Sequence, residues 1–66
     1  MIEIFGKDSC PYTAAAVDAY RPKGGVYINV KKDPAALTRM LEYSGGKRRV
    51  PVIVENGKVT IGYGGT

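Results

Sequence analysis

A chain of 66 residues has room for one small core, and its single cysteine and lack of histidine exclude an internal disulfide and leave no ordinary ligand set for zinc. Ten Lys and Arg against six Asp and Glu give a net charge of +4, which favours anionic partners but falls short of a nucleic-acid surface. No apolar run approaches the roughly 20 residues of a membrane span, and Glu3 interrupts the first apolar stretch, so neither a span nor a signal peptide is expected.

The alternation Met1-Ile2-Glu3-Ile4-Phe5 predicts a first strand, and Gly6-Lys7-Asp8-Ser9 reads as a loop. Pro11 suits a first helical position, and the helix formers Ala14-Ala15-Ala16 carry that helix to Tyr20. Arg21-Pro22-Lys23-Gly24-Gly25 ends it, because proline cannot continue a helix. Val26 to Val30 is β-branched and aromatic, a second strand. Asp33-Pro34 is a capping carboxylate followed by proline, and Leu37, Met40, Leu41 and Ser44 then recur at helical spacing until Gly45-Gly46. Val50 to Val54 predicts a third strand, and Asn56-Gly57 a hairpin into Val59-Thr60-Ile61. The order is β-α-β-α-β-β, one α/β unit spanning 1–66 with a four-stranded mixed sheet whose first two strands are parallel.

Cys10 falls where the first loop meets the first helix. A helix N-terminus presents unpaired N–H groups and partial positive charge, both of which favour a thiolate over a thiol. Lys7 adds to that field and Asp8 opposes it. The thiolate is the form that attacks a disulfide sulfur. A buried structural cysteine is the competing reading. The polar run Lys7-Asp8-Ser9 favours a sulfur that is ionised and open to solvent.

Cys10-Pro11-Tyr12-Thr13 resembles the glutaredoxin Cys-Pro-Tyr-Cys motif with threonine in place of the second cysteine. Arg49-Val50-Pro51 resembles the family's Thr-Val-Pro, and Ile61-Gly62-Tyr63-Gly64-Gly65 its Gly-Gly segment, all in the right order over essentially the whole chain. The chain is also similar to the small glutaredoxin-like selenoproteins called UXX-star in Lys7-Asp8-Ser9, Pro11-Tyr12-Thr13, Arg49 to Val54 and the terminal Gly-Gly-Thr. In many of those proteins selenocysteine stands where this chain has Cys10.

The resemblance implies a minimal thioredoxin/glutaredoxin-like fold without the family's last helix, since the sequence stops at Thr66. It implies that Pro51 is a cis-proline facing Cys10, and that the Val50 backbone pairs with glutathione as an added strand would. Lys7 and Arg48 match cations that meet glutathione carboxylates, whereas Arg49 departs from the usual threonine. A solvated loop is the plain alternative for all three basic residues of Lys47-Arg48-Arg49. Gly62, Tyr63 and Gly64 belong to the segment that approaches the γ-glutamyl carboxylate, with a frayed tail as the alternative. Cys10, Pro11, Tyr12 and Thr13 form the catalytic motif, and the Thr13 hydroxyl is available to donate to the Cys10 thiolate.

The leading expectation is a monothiol, glutathione-linked thiol-disulfide oxidoreductase, with glutathione as co-substrate and no tightly bound cofactor or metal. A carrier bridging a [2Fe–2S] cluster and a non-catalytic binding module are the alternatives. Expected partners are glutathione and disulfide or glutathionylated substrates, not nucleic acid or membrane. A lone thiol suits a reducing compartment, so the expected location is cytoplasmic. Loss of the last helix would uncover apolar sheet surface and favour a weak homodimer, with Tyr63 covering part of the gap.

Overall fold

The computed structural model describes residues 1–64. Its elements are β1 (Ile2–Gly6), α1 (Pro11–Tyr20), a 3₁₀ turn (Arg21–Lys23), β2 (Gly25–Asn29), α2 (Pro34–Ser44), β3 (Val52–Glu55) and β4 (Lys58–Ile61). The sheet order is β2-β1-β3-β4, with β1 parallel to β2 and antiparallel to β3. This is the expected four-stranded mixed sheet, and no helix follows β4 among the described residues.

Strand alternation divides the core into two halves. Ile2 and Ile4 of β1 join Ile53 and Ala16 of α1 on one face of the sheet. Phe5 joins Val52, Val54, Val30 and the α2 residues Ala36 and Met40 in the other core cluster. The helices therefore cover opposite faces, because side chains of neighbouring strand residues point to opposite sides. Glu3 shares the α2 face with Phe5, and Arg39 of α2 clamps its carboxylate at 2.8 and 2.9 Å while lying 5.2 Å from the Phe5 ring centre.

The local signals read from sequence work by the expected chemistry. The Asp33 carboxylate accepts from the N–H groups of Ala35 and Ala36, and Gly45 closes α2 in the left-handed region at φ 70°. Asn56 (φ 50°) and Gly57 (φ 87°) turn the hairpin between β3 and β4. Several boundaries differ: β1 runs Ile2–Gly6, so Gly6 ends the strand and does not open the loop, and β4 begins at Lys58. The third strand begins at Val52 and not at Val50, since Pro51 has no N–H to give to a ladder. The second strand runs Gly25–Asn29, one residue earlier than expected. Val30 leaves the sheet register but still donates to the Gly6 carbonyl at 3.0 Å.

The segment after β4 does not trail away from the body. Gly62 N–H donates to the Pro51 carbonyl at 2.8 Å, and Tyr63 packs on the Ile53 cluster with its ring edge-on to Tyr20 at 6.2 Å. Tyr63 thus covers sheet surface beside α1. Gly65 and the terminal Thr66, part of the expected glycine segment, lie outside the described residues.

Candidate active site

Cys10 is the N-cap of α1, extended at φ −95° and ψ 117°. Its N–H donates to the Lys7 carbonyl at 3.3 Å and its carbonyl accepts from Ala14 N–H at 3.1 Å, so the loop turns tightly into the helix. Pro11 at the first helical position brings no N–H of its own. The N–H groups of Tyr12 and Thr13 are the ones an N-cap side chain normally satisfies, and no oxygen is present to do so. The Cys10 side chain makes no cap hydrogen bond of regular geometry, but both N–H groups favour its thiolate.

The sequence reading expected the sulfur to stand open to solvent, and here the structure corrects it. Cys10 is only 8% exposed. The loop turns back on itself through the Cys10 N–H bond to the Lys7 carbonyl. Burial is the largest single influence on the thiol and pushes it up. The Thr13 hydroxyl, the Thr13 and Tyr12 N–H groups and the Lys7 charge act the other way and together prevail, leaving the thiol below its ordinary value. Access to the sulfur is therefore narrow while its charge is favoured.

Thr13 carries a further clue. It is 2% exposed, and its Oγ1 has no hydrogen-bond partner of ordinary geometry among the described residues. The same hydroxyl is the first of the groups that favour the Cys10 thiolate. A thiolate is a stronger acceptor for a nearby hydroxyl than a neutral thiol, so Thr13 favours the ionised form of Cys10. Gly6 makes room for this arrangement, since a Cβ there would fall 2.5 Å from Thr13 Oγ1.

Asp8 is engaged on the β2 side of the loop: its two carboxylate oxygens meet the Tyr27 hydroxyl at 2.8 Å and Lys32 at 3.7 Å. Tyr27 in turn is pushed up to about 12 by burial, by the bond to Asp8 and by the negative charges of Asp8 and Cys10.

A groove of about 410 Å³ on the α2 side brings Lys7, Arg48 and Val50 together with Val30, Lys31, Pro34, Leu37 and Met40. Arg49 is exposed and does not line it. The Val50–Pro51 peptide bond is cis, and Pro51 is fully buried at the end of the sheet where β1 delivers the Cys10 loop. Tyr12 is 40% exposed and lines neither groove, and a Cβ on Gly64 would fall 3.8 Å from its ring. Gly62 is tied to Pro51, while Tyr63 turns to the α1 face and away from the groove. A second groove, of about 260 Å³, lies between α1 and β2 and is lined by Lys7, Asp8, Thr13, Val17, Arg21 and Tyr27 among others. Lys7 borders both.

Sequence reasoning missed Gly6 and Tyr27. Gly6 was read only as loop, although a glycine ending a strand beside a helix start is also the mark of a close approach. Tyr27 gave no signal beyond strand alternation. Among the described residues no group of three His, Cys, Asp or Glu is placed to hold a metal ion.

Comparison with known proteins gives consistent results. The family model described as Glutaredoxin matches residues 2–60. The chain is similar to the crystal structure of the thioredoxin-like protein BC3987, at 29% identity and TM-score 0.78, with 96% of this chain and 88% of that one covered. A point mutant of that protein superposes equally well. The glutaredoxin of Archaeoglobus fulgidus shares the fold at TM-score 0.75 and 22% identity, covering 94% of this chain and 74% of that one. No match is found among the curated proteins.

Proposed function

The chain belongs to the glutaredoxin family, and from that premise we propose that it is a monothiol, glutathione-linked thiol-disulfide oxidoreductase acting through Cys10. The observation that carries the reading is the Cys10 sulfur at the N-cap of α1, held below the ordinary thiol value by Thr13, Tyr12 and Lys7 against its own burial.

In the proposed reaction the Cys10 thiolate attacks the glutathione sulfur of a mixed disulfide. The disulfide bond breaks, the substrate sulfur leaves as a thiolate and takes a proton from water, and Cys10 carries glutathione. A second glutathione thiolate then attacks that adduct, releasing oxidised glutathione and restoring the Cys10 thiolate. Thr13 stands where a resolving cysteine would be, so an external thiol must close the cycle. Lys7 and Arg48 on the α2-side groove supply the charge that glutathione carboxylates need, Arg in a bidentate form, and the Val50 backbone is free of the β3–β4 ladder beside them. The narrow access to Cys10 suits a slender tripeptide and an extended disulfide segment.

The finer kinship that we propose is with the UXX-star proteins, on the strength of Lys7-Asp8-Ser9, Pro11-Tyr12-Thr13 and Arg49 to Val54. Substitution of selenium at position 10 then raises turnover without altering the fold.

Intact-mass analysis after exposure to oxidised glutathione tests the proposal. A single glutathione adduct on Cys10, removed by reduced glutathione and missing in Cys10→Ser, is expected. Failure of the folded protein to form that adduct would overturn it.

A further inference from the structure

Lys7 and Asp8 sit three and two residues before Cys10 with opposite charges. On sequence alone their fields at the sulfur oppose each other. The structure resolves the conflict through β2. The Tyr27 hydroxyl donates to Asp8 Oδ1 at 2.8 Å, and Lys32, in the turn after β2, lies 3.7 Å from Oδ2. Both oxygens are thus directed to the β2 side of the loop, and the Asp8 charge is met by a cation there.

We propose that Tyr27 is a positioning residue for Cys10, holding the Asp8 carboxylate against β2 so that Lys7 is the loop charge that acts on the sulfur. This rests on the reading of Cys10 as a reactive thiolate. Three further observations support it. Tyr27 lines the same groove as Lys7, Asp8 and Thr13, so its ring is part of the wall beside the site. The Cys10 charge is itself one of the influences on Tyr27, which places the two within electrostatic reach. Finally, Tyr27 keeps its proton up to about 12, so it remains a donor to Asp8 over the whole range in which the thiol titrates. The other charged groups around the loop are the cations Arg21 after α1, Lys31 after β2 and Arg48 before β3, and one further anion, Asp18 of α1, which lines the same groove. Asp18 is fixed on α1, so within the loop itself Asp8 is the anion whose orientation can weaken the field at the sulfur.

The test is the pH dependence of Cys10 alkylation by iodoacetamide, which needs no glutathione. Tyr27→Phe is expected to slow alkylation at neutral pH by on the order of threefold, through a midpoint moved to higher pH, because Asp8 is released toward the sulfur. Asp8→Asn is expected to react at least as fast as wild type. The double variant Tyr27→Phe/Asp8→Asn is expected to match Asp8→Asn, since no charge is left to hold. Circular dichroism confirms that each variant is folded. If Tyr27→Phe is not, Lys32→Gln replaces it, with the same slowing and the same cancellation by Asp8→Asn. A Tyr27→Phe midpoint equal to wild type, or a shift of equal size in the Asp8→Asn background, overturns the proposal. An ordinary midpoint in wild type itself would instead sink the thiolate reading on which it depends.

Discussion

Thr13 rests its side chain on the bare Cα of Gly6: a Cβ on Gly6 would lie 2.4 Å from Thr13 Cγ2 and 2.5 Å from Thr13 Oγ1. The last residue of β1 and the third residue of α1 are thereby fixed against each other, and Cys10 is suspended between them. Gly6→Ala is expected to lose about 1–3 kcal/mol of stability through overpacking, read as a lower urea midpoint. Combining it with Thr13→Ala should recover most of the loss. Equal midpoints for Gly6→Ala and wild type would show that the contact gives way freely.

Thr13→Val keeps the shape of the side chain and removes its hydroxyl. Alkylation of Cys10 is expected to move to higher pH, because the thiolate loses the foremost of the groups that favour it. Stability is expected to hold or rise by about 1 kcal/mol, since a buried hydroxyl without a regular partner is replaced by a methyl group. Thr13→Ser should restore the low midpoint. Opposite changes in reactivity and stability from one substitution distinguish a functional hydroxyl from a packing one.

The pH dependence of stability has two limbs with opposite signs. Cys10 is held below its ordinary value, so its contribution is absent at pH below the folded value, grows as pH rises through it, and is complete above the usual thiol range near about 8.5. Tyr27 is raised from 10.0 to about 12, so its contribution is complete below the first figure and lost as pH climbs toward the second. Urea midpoints across a buffer series should show Cys10→Ser lacking the rise and Tyr27→Phe lacking its share of the alkaline fall. Superimposable curves for wild type and Tyr27→Phe above pH 10 would contradict the assignment.

Asp33→Ala removes the cap of α2, which accepts from two backbone N–H groups. The expected cost is about 1 kcal/mol in global stability, measured by urea unfolding. Glutathione handling should change little at concentrations where the variant is folded, because Asp33 does not line the α2-side groove.

Lys7→Gln and Arg48→Gln should each raise the KM for glutathione several-fold, and the effect should shrink as salt is added. Lys7→Gln should also shift the alkylation midpoint upward, whereas Arg48→Gln should not, because of the two cations it is Lys7 whose charge favours the Cys10 thiolate. Identical behaviour of the two variants would remove the distinction drawn between them.

Much of the fold was legible because its signals are local. Asp33-Pro34, Gly45 and Asn56-Gly57 each act within a few residues of themselves, so sequence order suffices to read them. Alternation placed Ile2, Ile4 and Phe5 in a strand, and only the strand pairing divided them between two core halves. The site was half legible. Cys10 at a helix start and the run to Pro51 could be read along the chain. The burial of Cys10, the Gly6–Thr13 contact and the Tyr27–Asp8 bond could not, because each joins segments whose spacing is decided by packing. Asp8 shows why: proximity along the chain points only to Cys10, whereas its carboxylate accepts from a tyrosine nineteen positions away.

The β1–β3 ladder, with Phe5 paired to Val52, carries a last consequence. One strand ends in the Cys10 loop and the other starts just after the cis-Pro51 bond, so both segments hang from neighbouring rungs at the centre of the sheet. Separating them means tearing the rungs that also hold Ile4 against Ile53. The native reactivity of Cys10 and the folded structure should then be lost over the same denaturant interval, with no loosened yet folded species between them.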